Sequence, residues 1–160
     1  MNPVTTDWGN FFVAEVGASA ALAGLVVVAI SINLSRIISL AHLPERAAEA
    51  LMVLVGALVV TSAALVPNQP PALFGAEAMT IGVVTFVVPL VFQVRALNAR
   101  LPRRYLRVLV GAAASRPFVV AGALLVLGSG AGFYWVAAGV IISLVAGVLD
   151  AWVLLVEILR

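Results

Sequence analysis

Asp150 stands in a long apolar run, GVLDAWVLLVEIL, with no second charge before Glu157. A carboxylate in such a setting needs a cation, a proton or a charged partner, and inside a membrane it marks an ion or proton path or a paired group. Folding the chain back about Gly130 brings residue 110 level with Asp150. Arg107 then lies ~4.5 Å away along the helix axis and Arg116 ~9 Å, at ~1.5 Å per residue. Arg107 is the better partner, because the two arginines are nine residues apart and face nearly opposite ways. The Asp150 and Arg107 pair reads either as a staple between two helices or as a proton or ion relay. Glu157 falls level with Arg103 and Arg104 by the same folding, which suggests a second pair.

The other polar groups in apolar surroundings are Glu15, Ser19, Asn33 and Glu77. With Asp150 they form the candidate ion pathway. Asp7, Glu15 and Glu77 map to the same end of the chain's predicted spans, where an acidic ring would concentrate cations at a pore mouth. Each has a plainer role as well. Glu15 is only about one helical turn past Phe11 and Phe12 and could lie at the membrane surface. Glu77 sits near a helix start, where a carboxylate complements the dipole, and Asn33 could simply bond to a neighbouring helix. On another face of the first apolar segment, Gly17, Gly24 and Ser31 recur every seven residues, with Ala20 and Ala21 between. Such a small-residue seam allows close helix approach, either within one bundle or between subunits.

Much other chemistry is excluded by residue type. There is no cysteine and no lysine, which removes thiolate and Schiff-base catalysis and the lysine of a phosphate-binding loop. The single histidine, His42, stands in a connection beside Leu43 and Pro44, so no apolar segment offers a histidine to haem iron or zinc. No paired carboxylates, nucleophile elbow or glycine-rich phosphate loop appears. Serines 19, 31 and 62 lack a base to activate them. The chain is expected not to be an enzyme, to carry no cofactor or metal, and, with a formal charge of only +2, not to bind nucleic acid.

The elements that must position these groups follow from composition. Of 160 residues 64% are hydrophobic and 10% charged, with mean hydropathy +1.19, against roughly 25% charged in soluble domains. A helix can be apolar all round only where lipid replaces the core. Five stretches reach the ~20 residues that a bilayer requires: Phe11–Leu34, Ala47–Val66, Ala72–Val94, Tyr105–Leu127 and Phe133–Val156. The predicted fold is a single all-α polytopic transmembrane domain of five spans, four being the alternative, since Arg107, Arg116 and Pro117 interrupt the fourth. Pro89 is expected to kink the third.

Arg36, Arg46, Arg95, Arg100, Arg103, Arg104 and Arg107 fall around the first and third connections, and the other two connections carry no charge. The positive-inside rule then places the N-terminus outside and the C-terminus, with Arg160, in the cytoplasm. Trp8, Phe11, Phe12, Phe74, Tyr134 and Trp135 would form an aromatic belt at the outer surface. The N-terminal ten residues hold no basic residue and are expected to be retained rather than cleaved as a signal.

The run Phe12–Ile37 (FVAEVGASAALAGLVVVAISINLSRI) and the stretch Asp150–Arg160 (DAWVLLVEILR) resemble small multi-pass bacterial membrane proteins of uncharacterised activity. The resemblance implies no ligand and no catalytic residue. With the alanine, valine, leucine, glycine and arginine bias, the expected location is a bacterial cytoplasmic (inner) membrane. Two functions are expected of such a chain: a channel-like homo-oligomer conducting cations, or a non-catalytic accessory or assembly subunit of a larger membrane complex. In either case its partners are the lipid bilayer and copies of itself or other membrane subunits.

Overall fold

Several helix ends follow from local sequence. In the computed structural model, which describes residues 3–40, 43–95 and 104–159, with side chains for 8–40, 43–91, 112–153 and 155–156, every regular element is a helix. These are α1 (Pro3–Ile32), α2 (Leu34–Ser39), α3 (Leu43–Ala64), α4 (Pro71–Arg95), α5 (Arg104–Val126) and α6 (Gly132–Leu159). Pro44 and Glu45 occupy the first turn of α3, suited to the fixed φ and to the helix dipole. After α3 the chain turns through Pro67 and Asn68, which adopts a positive φ of 56°, and Pro71 opens α4. At the end of α5, Gly128 takes φ 81°, its N–H donates to the Leu125 carbonyl, and the Ser129 N–H donates back to Leu124 at 2.8 Å. That paired closure needs a left-handed residue after the helix, and glycine adopts it without strain.

The expected spans map onto α1, α3, α4, α5 and α6 with shifted ends. The largest difference is in the first, which starts eight residues earlier, at Pro3, and breaks at Asn33. Asn33 Nδ2 donates to the Ala29 carbonyl at 2.9 Å, and its own carbonyl accepts from Arg36 and Ile37 to start α2. Competition of this side chain with the backbone ends α1. Pro89 lies inside α4, which continues through it to Arg95.

Helices α3, α4, α5 and α6 close a ring in that order, with α6 returning to α3, and α1 lies outside against α3 and α6. Val53, Ala114 and Ala146 meet across the ring. Phe118, Val136, Val140, Ala57 and Val60 continue the core toward the end that carries Trp8 and Phe133. The outward faces are apolar: Val55, Val59, Val83, Val87, Ile141, Val145, Leu149 and Trp152 are all exposed. A soluble bundle would place charged residues there.

Four helical segments are long and apolar enough to cross a membrane: Trp8–Ile32, Leu43–Ala64, Pro71–Val91 and Gly132–Val153. In α5 the apolar described part is shorter, Ala112–Val126. The molecule is therefore a helical bundle built to contact lipid with much of its surface.

Candidate functional site

The inner face of α1 is set by a four-three alternation of residues. Phe12, Ser19, Ala23 and Val26 are buried, and Val16 and Ile30 complete the stripe as half-buried members. The facing stripe of α3 runs Leu43, Ala47, Ala50, Leu54, Ala57 and Thr61, all buried. This seven-residue repeat is the one by which two nearly antiparallel helices interlock.

Ser19 is the polar interruption of the α1 stripe. It is 0% exposed, and its Oγ has no hydrogen-bond partner among the described residues. One turn before it, Glu15 is half-buried with Oε2 enclosed and equally without a partner. Ala23 and Val26 share a cluster with Ala50 and Leu54, while Phe12 shares one with Ala57, Val60 and Ala64. Glu15 and Ser19 lie between these contacts on α1, and Thr61 lies within the second set on α3, between Val60 and Ala64. At ~100° per residue, Thr61 falls between Ala50 and Leu54 in direction, so it belongs to the side of α3 that meets α1. Its hydroxyl donates to the Ala57 carbonyl at 2.8 Å and approaches that of Leu58 at 3.1 Å, which leaves oxygen lone pairs to accept. By this register Glu15, Ser19 and Thr61 fall on neighbouring stretches of the α1 and α3 contact.

Other sequence candidates are not part of this group. Glu77 is tied to the preceding turn, because Gln69 Nε2 donates to its Oε2 at 2.7 Å. The Asn33 amide is spent on Ala29, and the Ser31 hydroxyl on the Val27 carbonyl at 2.8 Å. Asp150 is half-buried in α6 near the opposite end. A Cβ on Gly139 would meet the Phe118 ring at 2.8 Å, which fixes the α5 and α6 register. Asp150 is eleven residues beyond Gly139 and Arg107 eleven before Phe118, so the two backbone positions are level. The side chains of Arg107, Arg104, Arg95, Asp7 and Glu157, with the whole of His42, Arg100, Arg103 and Arg160, lie outside the described part. Arg46 and Glu49 stand in the first turns of α3, toward the Asp150 end: Gly147 of α6 is packed on Leu54, and Ala151 joins the Ala50 and Leu54 cluster. Arg116 is exposed on the outer side of α5.

The seam Gly17, Gly24 and Ser31 points away from the bundle. All three are exposed, as are Ala20 and Ala21, and a Cβ on either glycine would meet nothing within 4 Å. Close approach inside the bundle is made instead by Gly75 and Gly82 of α4, the same seven-residue spacing, against Gly122, Phe118 and Ser115 of α5. That pair was legible in the sequence, but spacing alone does not say which side of a helix has a neighbour.

The aromatic residues also differ from a simple belt. Phe12 and Phe74 are buried at 2% and 3% exposure and meet Phe133, a residue the sequence reading missed, at ring-centroid distances of 6.4 and 6.0 Å. Trp8 stacks on Phe133 at 6.1 Å and meets Tyr134 edge-on at 4.9 Å. Only Tyr134 and Trp135 of this group are strongly exposed. The rings form a plug joining α1, α4 and α6, because offset and edge-to-face contacts hold aromatic pairs beyond simple area burial.

Inside the ring, a void of about 10 Å³ is lined by Val53, Thr85, Ala114, Ser115, Phe118 and Ser143. It is at the lower limit for one water molecule. Among the described residues, no group of three or more His, Cys, Asp or Glu could hold a metal ion. No protein-family model, no curated protein and no solved structure matches the chain.

Proposed function

We propose that this protein is a five-span membrane bundle that works by lateral association, a second copy packing on the open face of α1. The observation that carries this reading is the unfilled seam. Gly75, Gly82, Gly122, Gly132, Gly139 and Gly147 all abut neighbouring helices, whereas Gly17 and Gly24 abut nothing. Helices in lipid gain little from burying apolar area and associate through close packing, for which a smooth small-residue face is suited. Such a face complements a copy of itself.

Five crossings are supported by connectivity. Both α4 and α6 start from the aromatic end, and α5 lies antiparallel along each of them. If α4 and α6 cross, the chain must return between them, and α5 is the only described helix available to do so. The described basic positions other than Arg116, namely Arg36, Arg46, Arg95, Arg104 and Arg107, fall at the other end, which supports an outside N-terminus and a cytoplasmic C-terminus.

The chain has no cysteine, so single cysteines report contacts without background. Ala21→Cys is expected to give an oxidised dimer in membranes, whereas Val145→Cys, on the exposed face of α6, is not. Absence of a dimer from Ala21→Cys, Gly24→Cys and Gly17→Cys alike would remove this reading.

A second reading, cation conduction, is favoured by the unpartnered oxygens of Glu15 and Ser19. Glu15 and Gly17 are two residues apart, about 200° around the helix. A seam-packed oligomer therefore keeps Glu15 off its symmetry axis, and a path would run between α1 and α3 within each protomer. Cation flux into liposomes is expected to fall at least tenfold in Glu15→Gln at equal protein-to-lipid ratio. Flux unchanged by the substitution, or no flux in the wild type, would sink it.

A further inference from the structure

We infer that Glu15, Ser19 and Thr61 form a binding site for one partly hydrated alkali cation at the contact of α1 and α3. This goes beyond lateral association, and it requires binding only, so it stands apart from conduction as well.

The argument starts from two enclosed oxygens that have no partner. Ser19 could donate to the Glu15 carboxylate, since the residues are one turn apart on one helix, yet neither Glu15 Oε2 nor Ser19 Oγ has a hydrogen bond. They are therefore too far apart or misaligned to satisfy one another directly. A buried polar group left in that state is destabilising, and native structures fill such positions with a bridging species. The species must accept coordination from a carboxylate and a hydroxyl.

A cation fits this chemistry better than a bridging water for a reason of charge. A carboxylate set against an apolar helix contact favours a positive charge beside it. Among the described side chains the arginines on α2 and α3 lie toward the opposite end, at Arg36 and Arg46. Thr61 adds a third oxygen, which donates to its own helix and keeps the capacity to accept. All three are hard oxygen donors, the kind that bind alkali and alkaline-earth ions. One carboxylate balances one positive charge, and no cluster of acidic residues accompanies it among the described residues. A monovalent ion is therefore the occupant, not calcium or magnesium, whose sites gather more carboxylates or retain several waters.

The test is thermal unfolding of the full chain in detergent at fixed ionic strength, in lithium, sodium, potassium or N-methyl-D-glucamine chloride. A ligand that binds only the folded state raises the unfolding midpoint in a saturable way. The expected result is a rise of several degrees with one alkali ion over N-methyl-D-glucamine, lost in Glu15→Gln and weakened in Ser19→Ala and Thr61→Val. No difference among the four salts overturns the site and leaves a bridging water. A rise of wild-type size in both Glu15→Gln and Ser19→Ala also overturns it. Should Glu15→Gln not fold, Ser19→Ala and Thr61→Val decide: an unchanged ion response in both rejects the assignment. Trp8, two turns before Glu15, supplies a fluorescence titration with the same salts as an independent readout. Failure of Ala21→Cys to crosslink leaves this site untouched, and so does absence of flux.

Discussion

Gly122→Leu is expected to prevent formation of the bundle, with loss of monodisperse protein in detergent and destabilisation of about 3 kcal/mol or more. A Cβ at position 122 would stand 2.6 Å from Met79 Cβ and 2.9 Å from Met79 N, and it would also meet the Gly75 carbonyl oxygen. On the other side, a Cβ at Gly75 would stand 2.9 Å from the Gly122 carbonyl oxygen and 3.1 Å from Val126 N. These are backbone atoms, apart from Met79 Cβ, whose position the backbone fixes, and none can swing aside as the end of a flexible side chain does. The α4 and α5 axes would have to separate, and Phe74, Ala78, Ala121 and Leu125 would lose their packing along that line. Gly24→Leu makes the informative comparison. It adds the same side chain to another helix, but into open space, so the folded monomer should retain its unfolding midpoint while the self-association proposed for α1 is lost. Equal behaviour of the two variants would show that the difference between a filled and an open seam has no energetic meaning.

Phe118→Ala is expected to destabilise by about 3 kcal/mol, the lower end for a buried phenylalanine, because lipid rather than water is the alternative environment. What is lost is chiefly dispersion contact. The Phe118 ring lies against Gly139 of α6, and its Cβ is close to Gly82 of α4, so one side chain fills the space that two glycines open. It also forms one wall of the internal void with Thr85, Ser115 and Ser143. Truncation joins the vacated volume to that void and lines it with three hydroxyl-bearing residues, a setting that admits water. The unfolding midpoint in a denaturing detergent titration measures the loss. A cost below about 1 kcal/mol would mean that the bundle collapses onto the space, contrary to the rigid glycine contacts on either side.

Several features follow from local sequence. The helices and most of their ends were legible, because apolar runs of this length in a chain with so few charges admit little else, and Pro44, Pro71 and Gly128 punctuate them by backbone geometry. The fold-back of α6 on α5 was legible as well, but not its register: folding about Gly130 sets residue 110 level with Asp150, whereas the contact of Gly139 with Phe118 sets Arg107 there. The break at Asn33 was not legible, because whether an amide turns to its own backbone depends on the space around it.

Facing was decided by tertiary structure. Gly17 and Gly24 have the same residue type and spacing as Gly75 and Gly82, yet one pair lies open and the other is pressed against α5. In a soluble protein the polar side of a helix identifies its outer face. Here both sides are apolar, so the pattern carries no such label, and only the packing of α1 on the outside of the four-helix ring assigns them. The same reason hid Thr61: in sequence it is one hydroxyl in an apolar helix, and it gains meaning only from the packing of α3 beside α1.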